Sequence, residues 1–180
     1  MNDSFYNSLC FDDTLFIGVP DKNTVINSVT TEKRYYGLID RDYLTDQERD
    51  NAIKNKETSL YILEMYSFES YMYHPDNIEE LGLPNWNRQE YILNITQKKI
   101  DKMGHIGGSI LGRNSSLLFK NKSKEEKLGR ETILSELNSN NFEIFYKHFD
   151  IKKYGKPDLN LTEKELTSTQ WFKTNIQKII

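Results

Sequence analysis

Asp40 and Asp42 stand one residue apart in Tyr35-Tyr36-Gly37-Leu38-Ile39-Asp40-Arg41-Asp42, where an apolar run ends abruptly in two carboxylates. Alternate side chains of an extended segment point the same way, so both carboxylates can face one spot. Two hard oxygen donors on one side of a crevice suit Mg²⁺ or Mn²⁺. They equally suit a polar loop after a strand, because Asp is common in turns. A third carboxylate, Glu69, follows the apolar run Leu60–Leu63 in Tyr66-Ser67-Phe68-Glu69-Ser70-Tyr71. If Leu60–Leu63 pairs beside Tyr35–Ile39, Glu69 emerges at the same edge. Three converging carboxylates then repel one another strongly unless a cation neutralises them. Alternatively Glu69 starts a surface helix and favours its positive end, which is worth about 0.3–1 kcal/mol.

The elements that must position these side chains can be read from periodicity. Residues 4–10 read as the end of a helix with Phe5 and Leu9 turned inward, and Thr14–Val19 as a short strand bounded by Pro20. Asp21 is placed to cap a helix carrying Val25, Ile26 and Val29. Tyr35–Ile39 and Leu60–Leu63 read as buried strands, with a polar, helical excursion from Thr45 to Asn55 between them. This order predicts an α/β fold: a small parallel, Rossmann-like sheet built from right-handed crossovers, with flanking helices. In such sheets ligands bind beyond the carboxyl ends of the strands. From Trp86 onward the sequence predicts a mainly helical half. Helices are expected at Trp86–Met103, Ser123–Asn138, Asn141–Phe149 and Glu163–Ile176, with Gly104–Gly112 breaking the first. The expected organisation is an α/β core over residues 1–82 and a helical extension over 83–180, packed on that core.

With 180 residues the chain is long enough for one domain with its own core. A mean hydropathy of -0.71 and 37% hydrophobic residues describe a polar protein. The net charge of -3 argues against a general nucleic-acid coat, but not against one local basic surface. The single cysteine, Cys10, excludes an internal disulfide and a cysteine-rich zinc site. No apolar stretch reaches the length of a membrane span, no secretory signal is evident, and a cytoplasmic location is expected.

The run Gly37-Leu38-Ile39-Asp40-Arg41-Asp42-Tyr43-Leu44, followed by Leu60–Leu63 and by Tyr66-Ser67-Phe68-Glu69-Ser70-Tyr71, resembles the Toprim domain of OLD-family nucleases. The closer likeness is to relatives encoded beside ABC-type ATPases in bacterial anti-phage operons, such as the effector of the PARIS system. In that group a strand ends in hydrophobic-Asp-Arg-Asp-aromatic, and the next strand leads to aromatic-x-x-Glu-Asn-Tyr, here with Ser70 in place of Asn. The resemblance implies a two-metal phosphodiester cleavage site using Mg²⁺ or Mn²⁺. By motif match Asp40 is the bridging ligand, Asp42 a ligand of the second ion, and Glu69 a further ligand or orienting carboxylate. Asp3, in Asp3-Ser4-Phe5-Tyr6, resembles the tail of the family's Glu-Gly-x-x-Asp motif and is a fourth metal-ligand candidate. The glutamate of that motif and its strand would precede Met1. The resemblance further implies a nucleic acid substrate (DNA, tRNA or another RNA) and an ABC-type ATPase partner. The expected missing strand leaves sheet edges prone to association, hence a possible homo-oligomer.

Other candidates are weaker. Lys152, Lys153 and Lys156 follow the aromatic Phe145, Tyr146 and Phe149 and could touch a phosphate backbone. His105 is expected in a loop, and it, His74 and His148 are read as surface or structural histidines. The basic run Lys120, Lys122, Lys124 and Lys127 reads as a solvated face. The two functional expectations are therefore a metal-dependent nuclease and, in contrast, a catalytically defective Toprim remnant acting as an interaction or regulatory subunit.

Overall fold

The computed structural model describes residues 10–11, 14–15, 17–19, 21–54, 59–113 and 123–179. Of the helix end expected over 4–10, residues 4–9 lie outside these residues, as does the candidate ligand Asp3, and Cys10 is in a strand rather than a helix. The chain is α/β but mostly helical. Its first strands, β1 (Cys10–Phe11) and β2 (Thr14–Leu15), form an antiparallel hairpin with Cys10 opposite Leu15. Thr14 and Leu15 were expected to start a strand of the parallel sheet. They pair instead with their immediate neighbours, the shortest loop closure open to them.

The parallel sheet consists of β3 (Gly37–Ile39) and β4 (Leu60–Ile62), paired Gly37 to Leu60 and Ile39 to Ile62. Helix α1 (Lys22–Thr31) precedes β3, and α2 (Asp46–Lys54) crosses from β3 to β4. Asp21 caps α1 as its position suggests, accepting from Thr24 N at 3.0 Å. Val29 of α1 and Ala52 of α2 are buried with Ile39, Leu44, Leu60 and Ile62 in a small core on one face. Gly37 lets α1 lie directly on the strand. A Cβ there would come within 2.8 Å of Val25 Cγ1 and 2.9 Å of Val29 Cγ1.

The alternate residue, Leu38, leans the other way onto a larger core, which also takes in Leu63 and residues from every later helix described, down to Leu166 of the four-residue Glu163–Leu166. This core runs without interruption across residues 82 and 83. It includes α3 (Phe68–Met72) and α4 (Pro75–Glu80), then the long α5 (Arg88–Leu111) and α6 (Ser123–Leu137). The remaining helices are α7 (Phe142–Tyr146), α8 (Ile151–Tyr154), α9 (Glu163–Leu166) and α10 (Gln170–Gln177). No strand occurs among the described residues after Ile62. The predicted break at Gly104–Gly112 is not seen. Tyr91, Ile95, Lys99, Ile106 and Ile110 form one buried stripe, so packing carries α5 through Gly104, Gly107 and Gly108 despite a propensity cost of about 1 kcal/mol each. His105 consequently sits on an exposed helical turn rather than in a loop. Expected helix Glu163–Ile176 is two helices, because Thr167 and Thr169 are a C-cap and an N-cap. Among the described residues no helix is long and apolar enough to cross a membrane.

Candidate metal and phosphodiester site

Asp40 is the first residue past β3, and its carboxylate turns toward the start of α3, where Phe68 N donates to its Oδ1 at 3.2 Å. The chain then turns sharply. Asp42 has φ 50°, a left-handed conformation that costs a non-glycine residue on the order of 1 kcal/mol or more. That turn lets Asp42 N donate to Tyr66 O at 2.9 Å. These two backbone N–H groups thus help stitch the segment after β3 to the segment after β4. Glu69 lies in the first turn of α3, whose other residues Phe68, Ser70, Tyr71 and Met72 are buried in the core.

Two lysines occupy the carboxylates. Lys22, in the first turn of α1, donates to Asp40 O at 2.8 Å and pairs with Asp42 Oδ2. Lys152, in α8, pairs with Glu69 Oε1 at 2.6 Å. The other Glu69 oxygen, Oε2, is buried without a hydrogen-bond partner among the described residues. Burial, followed by the charge of Asp42, pushes the Asp40 carboxyl up to about 7, with Glu69 adding to the rise while Lys22 and the Phe68 N–H oppose it. Lys152 is raised: burial works against its charge, but its bond to Glu69 and the fields of Glu69, Asp40 and Asp150 outweigh it.

Asp150, which caps α8 by accepting from Lys153 N at 3.0 Å, belongs to the same electrostatic neighbourhood. Burial raises its pKa, and the charges of Glu69 and Asp42 raise it further. Tyr43 and Tyr66 stack edge to face at 4.9 Å beside it, both with phenols raised chiefly by burial. Lys153 and Lys156 hold their ammonium groups over the rings of Tyr154, at 5.0 Å, and Tyr73, at 5.7 Å.

The residue between the two aspartates is fully buried. Arg41 donates from Nε to Leu44 O at 2.7 Å and from Nη1 to Glu64 O at 2.7 Å, and pairs with Asp46 at 2.8 Å. Its Nη2 is buried without a partner among the described residues. Asp46 also takes Lys147 at 2.9 Å. Burial works against the Asp46 charge, yet Lys147 and Arg41 hold its carboxyl down at about 2. His148, read as surface or structural, is structural: it is fully buried and bonded to Glu136 at 2.5 Å. Burial keeps its pKa below the usual histidine value. His74 is buried likewise, its ring stacked on Trp171 at 4.6 Å.

A divalent cation can be tested against this geometry. Two observations fit one: the donors are carboxylates, and Glu69 Oε2 is a buried acceptor without a donor among the described residues. One observation limits the fit. Among the described residues no three His, Cys, Asp or Glu side chains come together closely enough to hold a metal ion. An ion binding to Asp40, Asp42 and Glu69 would therefore have to displace Lys22 and Lys152.

The sequence names Asp40, Asp42, Glu69 and Lys152, which the structure places near one another, and it does not name Lys22, Asp150 or Arg41, which lie beside them. Lys22 carried one available signal, since a lysine in the first turn of a helix that feeds a strand can reach the strand's neighbours. Asp150 carried another, as a capping residue before Ile151. Comparison with family models, with curated proteins and with solved structures returns no match.

Proposed function

We propose that this chain is a divalent-metal-dependent nuclease of the Toprim type, cutting phosphodiester bonds in DNA or RNA as the effector of an ATPase-coupled anti-phage system. The observation that carries the reading is that Asp40 meets the start of α3, whose second residue is Glu69, and that the charges of Asp42 and Glu69 both act on Asp40. Mg²⁺ or Mn²⁺, one ion or two, would supply a polarised water and charge neutralisation at the phosphate. Asp40, Asp42 and Glu69 would hold the metal. Lys22 and Lys152, released from Asp42 and Glu69, are then free to meet phosphate oxygens, and Lys153 and Lys156 continue the basic edge along the nucleic acid. Asp40, whose proton is held to about 7, is suited to give up that proton as a cation arrives. The test is cleavage of mixed DNA and RNA with Mg²⁺ or Mn²⁺, beside an Asp40→Ala/Asp42→Ala variant, together with melting curves. Binding to the native state stabilises by RT ln(1 + [L]/Kd). We expect metal-dependent cleavage by the wild type alone and a rise in its melting temperature. No cleavage and no shift at millimolar metal would remove the reading.

A second reading has its own observation. Lys22 and Lys152 already neutralise Asp42 and Glu69. This suits a catalytically defective Toprim remnant that serves as an interaction or regulatory subunit for an ABC-type ATPase or for a second copy of itself. Such a subunit keeps its partner affinity in the Asp40→Ala/Asp42→Ala variant, and loss of binding there would exclude it.

A further inference from the structure

We propose that Arg41 is a positioning residue of this site: its buried guanidinium fixes the segment carrying Asp40 and Asp42 against the segment carrying Glu69. The proposal rests on the nuclease reading for what is being positioned, but its geometry stands apart from that reading. One edge of the guanidinium holds Leu44 O, which closes the turn containing Asp42; Nη1 reaches Glu64 O, which begins the segment leading to Glu69. These two carbonyls belong to chain segments 20 residues apart, one following β3 and the other following β4, and a single rigid plane joins them. Asp46 completes the set from α2. A lysine at this position retains the charge but presents a point donor, without the fixed fork that spans two carbonyls at set angles.

The residue is a poor choice for stability alone. Its side chain is fully buried, burial works against its charge, and Nη2 is left without a partner among the described residues. A buried ion is often replaced by apolar side chains of similar volume without loss of stability. What the arginine provides that an apolar residue does not is a fixed separation between the two strand-end segments. Two backbone N–H groups report that separation directly. Asp42 N bonds Tyr66 O at 2.9 Å and Phe68 N bonds Asp40 Oδ1 at 3.2 Å, and both bonds cross from one segment to the other.

The experiment compares wild type, Arg41→Lys, Arg41→Met and the neighbouring control Arg49→Lys. Arg49 also reaches a backbone carbonyl, Ile62 O at 3.1 Å, and pairs with Glu64 Oε1 at 3.3 Å, but it makes no bond to the segment from Asp40 to Leu44. Amide hydrogen exchange is measured at Asp42 and Phe68, with Gly37 and Leu63, whose N–H groups bond Ser59 O and Ile39 O at the two ends of the β3–β4 pairing, as internal references. Mn²⁺ affinity is measured in parallel by titration. In both Arg41 variants, exchange at Asp42 and Phe68 is expected to rise about tenfold or more over the references, and Mn²⁺ affinity to fall about 10–100-fold, the range for groups that orient ligands. Arg49→Lys is expected to change neither ratio. If Arg41→Lys speeds exchange at all four amides alike, or at none, the positioning role is overturned. If the wild type binds no Mn²⁺, the nuclease reading falls, and the amide ratios alone decide the role of Arg41.

Discussion

Asn77 and Asp40 are both polar residues set against the core, and the chain treats them in opposite ways. Asn77 is fully buried between α3, α9 and α10. Its amide donates to Met72 O and Leu166 O, both at 2.8 Å, and its carbonyl accepts from the Thr169 hydroxyl. The site around Asp40 is left incomplete. Asp40 is pushed up to about 7, Asp42 stands at a positive φ, and Glu69 Oε2 and Arg41 Nη2 lack partners among the described residues. A satisfied polar hub specifies one packing of the helices, whereas a strained and partly satisfied cluster lowers stability. The difference separates a place where the fold is held from a place where free energy is stored, and stored free energy is what a ligand can release.

The sharpest way to break this comparison is to remove the hub. Asn77→Ala takes the amide donors from two buried carbonyls and leaves the buried Thr169 hydroxyl without an acceptor for its proton, so a loss of about 3 kcal/mol or more is expected. Urea unfolding of the variant measures it directly. A loss below about 1 kcal/mol would mean that water or neighbouring side chains replace the amide, and that the helical half is no better satisfied than the site.

The next largest effect has the opposite sign. Because the folded Asp40 carboxyl titrates near 7 rather than at its ordinary value of 3.8, the folded state holds the proton more tightly than the unfolded chain does. Its contribution to stability is present below about pH 4 and is lost as pH rises through about 7. Asp46, held down at about 2, works the other way and loses its contribution only as pH falls toward that value. The difference between wild type and Asp40→Asn isolates the first group, since an asparagine Oδ1 still accepts from Phe68 N. Above pH 8 the variant is expected to be more stable by on the order of 2 kcal/mol, with the gap closing toward pH 4. Equal stability at all pH values would show that Lys22 and solvent already relieve the charge.

How much of this could be read beforehand follows from which contacts are local. The strand ends at Asp40 and at the Leu60 run, and the acidic first turn at Glu69, are legible because each is a pattern within a few residues. The pairing of β3 with β4 follows from their being successive buried runs joined by a helical excursion. The lysines on the carboxylates are a different matter. Lys22 reaches Asp42 across 20 residues and Lys152 reaches Glu69 across 83, so even where a lysine can be singled out in the sequence its carboxylate partner cannot be read locally. Arg41 misleads outright, since an arginine flanked by two aspartates reads as solvated, and only the tertiary fold shows it fully buried. The glycines of α5 mislead in the same manner. Their propensity argues for a break, and the buried stripe through Ile106 and Ile110 overrides it.

The smallest of the three effects discriminates most finely. Asp42→Gly removes a side chain from a position with φ 50°, where glycine carries no steric penalty. The pair it loses with Lys22 is half exposed, so that loss lies within about 0–1 kcal/mol. Relief of the backbone is worth about 1 kcal/mol. The two terms nearly cancel, and stability is expected to stay level or rise by up to about 1 kcal/mol. Asp42→Val, branched at Cβ in the same conformation, is expected to lose at least that much. If Asp42 is a site residue, the glycine variant keeps its fold and loses its Mn²⁺-dependent melting shift, because the residue that best suits the backbone is not the one the site uses. Should Asp42→Gly instead unfold as readily as Asn77→Ala, then Asp42 is a structural post like Asn77, and the contrast between the two regions disappears.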